Sequence, residues 1–118
     1  MSRKPEDVIK KANEKIARIR ETINSMDYLC SGTILERMKI CGKLGCRCAQ
    51  DPDARHGPYY EWGYMKGGRL AHRMVSPKQA KTLRLAIANY RKARKLMKAW
   101  EKETERLMDA EAELDPKP

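Results

Sequence analysis

Three cysteines and one histidine within sixteen residues constrain this chain more than any other feature of its sequence. Residues 41–57 read CGKLGCRCAQDPDARHG, which spaces the side chains as Cys41-x4-Cys46-x-Cys48-x7-His56. Three thiolates and an imidazole satisfy tetrahedral Zn²⁺, and with four ligands filled no position is left for substrate or water, so the pattern describes a structural site. Gly42 and Gly45 let the backbone turn sharply enough for its N–H groups to face sulfur. Lys43 and Arg47 lie inside the loop, where positive charge lowers the cost of gathering three thiolates. The Cys-x-Cys step is tighter than that of a common zinc finger, and the alternative is a set of thiols with no metal. Size favours the metal. A chain of 118 residues buries only roughly two-thirds of the surface its unfolded form exposes, and a structural ion adds folding free energy that a thin core lacks. Cys30 lies eleven residues before Cys41 between Leu29 and Ser31, where a small buried residue is expected. His72 falls in a strand pattern. No Cys-x-x-Cys turn supports a redox cycle.

Apolar residues make up 41% and charged residues 36%, with no Phe, so the apolar content resides in Ile, Leu, Met and Ala. Such content suits narrow helical seams. Ile9, Ala12, Ile16, Ile19, Ile23 and Met26 recur by threes and fours, predicting a helix over residues 5–26 that opens on Pro5 with Glu6 and Asp7 in its first turn. Ser76-Pro77 opens a second helix over residues 77–115, roughly 55 Å long at 1.5 Å per residue, which stops at Asp115-Pro116. Its seam reads Leu83, Ile87, Tyr90, Ala93, Met97, Trp100, Thr104 and Leu107.

Residues 30–76, between the helices, alternate with a period of two. Thr33 to Ile40 predicts one strand, and Pro58 to Lys66 with Arg69 to Val75 a hairpin joined by Gly67-Gly68. The whole reads as a single α+β domain: two long helices, a coiled-coil-like hairpin, flanking a small zinc-bound three-stranded antiparallel sheet. The second helix outruns the first, which leaves room for a homodimer or a larger protein partner through the helices.

Charge points to a polyanion. Lys and Arg number 26 against 16 Asp and Glu, and residues 77–100 carry eight bases and no acid, whereas residues 101–118 carry seven acids and three bases. Lys81, Arg84, Arg91, Lys95 and Lys98 follow a helical rhythm away from the apolar seam, as a phosphate-tracking stripe would. On the hairpin, alternation places Tyr60, Trp62 and Tyr64 on one face, edged by Lys66, Arg69 and Arg73. That set suits stacking on bases and pairing with phosphates, and equally suits the core of a small sheet. The segment MSRKPEDVIKK has no apolar run and no stretch approaches a membrane span, so a cytoplasmic protein with no membrane partner is expected. An enzyme is not. Apart from His56 there is one other His, the acids gather in a helical tail, and Asp51, Asp53 and Glu61 are the only carboxylates near the cluster.

The stretch from Gly32 to Ser76, with CGKLGCRC, HGPYYEWGY, GGRL and Arg73-Met74-Val75-Ser76, resembles an uncharacterised family of small prokaryotic proteins. That family's pattern runs from a strand through CGKxxCRC and HGPYY with an aromatic hairpin to a serine opening a long helix. The resemblance implies that Cys41, Cys46, Cys48 and His56 act as one unit from which Cys30 is excluded. It also implies a setting near mobile-element or phage genes, as a DNA or RNA accessory protein would have. The expected function is therefore a nucleic-acid-binding accessory or regulatory protein with a structural zinc site. The alternative is an interaction subunit that clamps a larger nucleic-acid-processing enzyme through its coiled coil.

Overall fold

The computed structural model describes residues 4–115, so Met1–Arg3 and Pro116, the residue expected to follow the second helix, lie outside it. The chain is α+β: α1 (Pro5–Asn24), β1 (Thr33–Lys39), two short 3₁₀ turns (Arg47–Ala49 and Pro52–Ala54), β2 (His56–Lys66), β3 (Arg69–Val75) and α2 (Pro77–Leu114). No helix among the described residues is long and apolar enough to cross a membrane. The contacts divide the chain into two compact units. Residues 28–90 form one, and the described residues up to Asp27 with those from Arg91 onward form the other.

In the helical unit, Pro5 sits in the first turn of α1 with Glu6 and Asp7. The helix ends where Ser25 takes over its last carbonyls. The Ser25 N–H donates to the Glu21 oxygen at 3.1 Å and its hydroxyl to the Thr22 oxygen at 2.6 Å. Ala12 and Ile19 are buried on α1, and Ala93 and Ala110 on α2. On α2 the inward seam runs through Ala93, Leu96, Trp100, Glu103, Leu107 and Ala110, one position away from the expected line at two points. Met97 is 55% exposed and Thr104 is also exposed, while Leu96 and Glu103 take their places. Ala93 and Ala110, both buried, share the helix face of Leu96 and Glu103, and that face is the one turned inward. Glu103, 7% exposed, is tolerated because its carboxylate accepts from Arg106 at 2.7 Å and lies 3.7 Å from the Lys15 ammonium.

In the other unit the sheet order is β1-β2-β3, antiparallel throughout. Tyr60, Trp62 and Tyr64 pair with Val75, Arg73 and Ala71, the register expected from a two-glycine turn, and Gly67 and Gly68 have φ of 58° and 80°. β1 matches its expected span to within one residue, and a bulge on β2 sets Gly57 and Pro58 against Met38. The face bearing Tyr60, Trp62 and Tyr64 is half-buried. Trp62, Arg73 and Val75 line a cavity with Lys78, Gln79, Thr82 and Leu83, so the first turns of α2 cover that face. α2 starts with a reciprocal cap: the Gln79 N–H donates to the Ser76 hydroxyl at 3.1 Å, and the Ser76 N–H donates to the Gln79 side-chain oxygen at 2.9 Å. The segment before β1 is tied to the same helix, the Cys30 N–H donating to the Ala86 oxygen and the Asn89 amide to the Tyr28 oxygen.

Candidate metal centre

The four expected ligands converge. Sγ of Cys41, Cys46 and Cys48 and a ring nitrogen of His56 all lie within 4.8 Å of one another. Two edges of the set are short, Cys41 to Cys48 at 3.5 Å between sulfurs and Cys46 Sγ to His56 Nε2 at 3.3 Å. Local backbone chemistry brings them together. Gly42 and Gly45 both adopt φ of 77°, a left-handed conformation that a side chain disfavours, and the Cys46 N–H closes a turn on the Lys43 oxygen. Arg47–Ala49 then forms one 3₁₀ turn, and Asp51 caps the next by accepting from the Asp53 N–H at 3.0 Å. His56 arrives as the first residue of β2. The following Gly57 has φ of 134°, and a Cβ there would meet the Arg37 oxygen at 2.8 Å, so glycine is required directly after the ligand. Gly32 is equally constrained, because a Cβ would run into the Gly63 oxygen and the Trp62 indole, whose N–H donates to the Ser31 oxygen at 3.2 Å.

Cys48 is buried, Cys46 half-buried and Cys41 exposed. The backbone N–H of Cys48, aided by the Cys48 and Cys41 thiols, holds the Cys46 thiol below its ordinary range. For Cys48 the Cys41 N–H, 3.3 Å from its sulfur, pulls downward, but burial and the neighbouring Cys46 and Cys41 sulfurs outweigh it and push the thiol up. Three sulfurs crowded this closely cannot all ionise alone, and a cation among them removes that conflict. The cluster can therefore hold a metal ion. Cys30 stands outside it, half-buried, its thiol pushed up by burial.

The remaining expected site residues scatter. Lys43 and Arg47 are exposed on the loop, and the Arg47 guanidinium turns to Asp51 at 3.1 Å instead of toward the sulfurs. Trp62 stacks on Tyr64 with ring centroids 4.1 Å apart, and Arg84 lies 5.4 Å over the Tyr60 ring, so much of the aromatic surface expected to stack on bases is engaged within the unit. Lys66, Arg69 and Arg73 are exposed on the hairpin, as are Lys81 and Arg84 on the start of α2. Arg91, Lys95 and Lys98 are exposed in the helical unit. Sequence reasoning passed over Tyr59, which is exposed with the Lys39 ammonium 5.3 Å over its ring. It also passed over Glu61 on the opposite sheet face, which pairs with the Arg37 guanidinium at 3.3 Å and lies 3.2 Å from His72 Nδ1. The pairing register sets Glu61 opposite Leu35 and Met74, and Arg37 and His72 are its diagonal neighbours on the same face.

Fold and site together define a small α+β protein with a three-cysteine, one-histidine cluster that could hold a metal ion at the root of a β-hairpin. A family described as a domain of unknown function, DUF6788, matches residues 9–85, which include the whole cluster and the hairpin, and the chain belongs to this family. No curated protein and no solved structure matches it.

Proposed function

We propose that this is a nucleic-acid-binding accessory or regulatory protein of the prokaryotic cytoplasm, associated with a mobile element or phage, whose metal centre is a structural zinc site without catalytic role. Zinc is the ion the donors favour. Tetrahedral bonds of about 2.3 Å to sulfur and 2.0 Å to imidazole separate ligand atoms by roughly 3.5–3.8 Å. The 3.5 and 3.3 Å edges of the cluster are close to that range. Thiolates select against magnesium and calcium.

The observation that carries nucleic-acid binding is the acid-free run of residues 77–100, in which all eight Lys and Arg side chains are exposed. Solvated helix faces are ordinarily mixed in sign, and one that is not attracts polyanions. Fluorescence anisotropy with a labelled oligonucleotide over a salt series tests it. If about six of these cations each neutralise a phosphate, log Kd rises with log salt at a slope of about 5. A slope near zero contradicts the proposal.

One observation favours a protein partner through the helices. Within the helical unit Ile23, Met97, Trp100 and Thr104 line an open apolar groove with Glu101 and Glu105 at its edge. A second copy or a larger enzyme seated there makes this chain an interaction subunit, and light scattering at micromolar concentration distinguishes a dimer from a monomer.

A further inference from the structure

The tip of the metal loop carries an apolar side chain that nothing in the unit uses. Leu44 is wholly exposed, the most exposed large hydrophobic residue among those described, and it sits between Gly42 and Gly45, around whose Cβ positions no atom lies within 4 Å. Surface leucines are common, but one displayed alone on a bare turn gains nothing from folding. The turn is nonetheless held firmly. Cys41 and Cys46, which bracket it, both belong to the Cys/His cluster, and the Cys46 N–H closes the turn on the Lys43 oxygen, so the tip is tied at its two ends.

Its surroundings are cationic. From Arg37 to Gln50 there is no acid, while Lys39, Lys43 and Arg47 are all exposed, the Arg47 side chain 82% so despite its pair with Asp51. An isolated apolar side chain with one cation immediately before it and another three residues after it matches a nucleotide whose base is unstacked: base face against the leucine, flanking phosphates against the lysine and arginine. A duplex hides its base faces in the stack, and exposing one there costs unstacking energy, whereas single strands and loops display them freely.

We infer that the loop tip, Lys43-Leu44 with Arg47, is a binding site for unpaired nucleotides, and that Leu44 packs on a base. This rests on the nucleic-acid reading above and adds to it the substrate class, single-stranded segments, and the contact that selects them. Because a fixed loop loses little freedom on binding, the contact is available at small entropic cost.

The test uses the zinc-loaded full chain with a labelled single-stranded 12-mer and its duplex, in parallel salt series. Wild-type protein is expected to bind the single strand more tightly than the duplex. Leu44→Ala weakens single-strand binding roughly tenfold, the value of one apolar side chain removed from water, with metal content and salt slope unchanged. Leu44→Trp restores or exceeds wild-type affinity. Lys43→Gln instead lowers the slope by about one. Wild-type affinity in Leu44→Ala, alongside weakened binding in a Lys95→Gln, Lys98→Gln variant, overturns the tip site and leaves the nucleic-acid reading standing. Equal losses on single strand and duplex overturn the selection of unpaired bases. No binding by wild type removes both readings.

Discussion

The two units of the chain hold themselves together by different means. In the helical unit a seam of Ala12, Ile19, Ala93 and Ala110 is buried at helical spacing, and the one acid that enters it, Glu103, brings its own cations. In the unit of residues 28–90 the sheet has only one covered face. Leu35, Tyr59, Met65, Leu70 and Met74 lie exposed on the other, and Cys48, 1% exposed, is the largest fully buried side chain. A sheet so thinly covered gains little from burial, so under the proposed function a four-ligand crosslink between the loop and the root of the hairpin is its main anchor. Where the chain is long and periodic, apolar contact suffices. Where the sheet is covered on one face only, Ala80, Ala86 and Ile87 of α2 are buried in the same unit, and the Cys/His cluster ties the loop to the hairpin.

The sharpest way to break this contrast is Cys48→Ser. Loss of a ligand removes most of the metal's stabilisation, on the order of 10 kcal/mol for structural zinc in small domains, and the sheet unit loses cooperative unfolding. The two tryptophans make this separable, because Trp62 belongs to the sheet unit and Trp100 to the helical one. In a Trp100→Phe background, Trp62 emission is expected to shift to that of a solvated indole. Retention of the native emission would count against the metal as anchor.

A smaller effect is expected from Ile19→Ala, which opens a cavity in the helical seam and costs about 2–5 kcal/mol. Amide exchange should rise in α1 while zinc content holds at its wild-type value. Metal loss in this variant would show the units to be less independent than the contacts indicate. Ser76→Ala removes half of the reciprocal cap and costs about 1 kcal/mol, read as faster exchange over the first turn of α2. Smallest is Glu103→Leu. Lys15 and Arg106 are half-exposed and stay solvated when the acid is gone, so thermal stability is expected to stay within about 1 kcal/mol of wild type or to rise. A loss of several kcal/mol would mean that the buried acid is a structural necessity.

Legibility from sequence followed the same division. The strands, the hairpin register and the opening of both helices were readable because period-two alternation, a Gly-Gly turn and Pro at the first helical position are local signals. The convergence of the three cysteines with His56 was readable because they fall within sixteen residues. The inner seam of α2 was not, since hydropathy ranks Met97 with Leu96 and cannot anticipate a paired Glu103 at the interface. Nor could sequence show that Trp62 stacks on Tyr64 or that Arg47 turns to Asp51, because both depend on side-chain geometry within the folded unit. The requirement for glycine at 32 and 57 arises from approaches between distant segments, which no local pattern shows.

Metal analysis of purified protein, combined with a chelator titration followed at Trp62, tests the central claim most directly. One zinc per chain is expected, with chelation collapsing the Trp62 signal and zinc restoring it. Metal-free protein whose Trp62 emission and melting are indifferent to chelator would contradict the account.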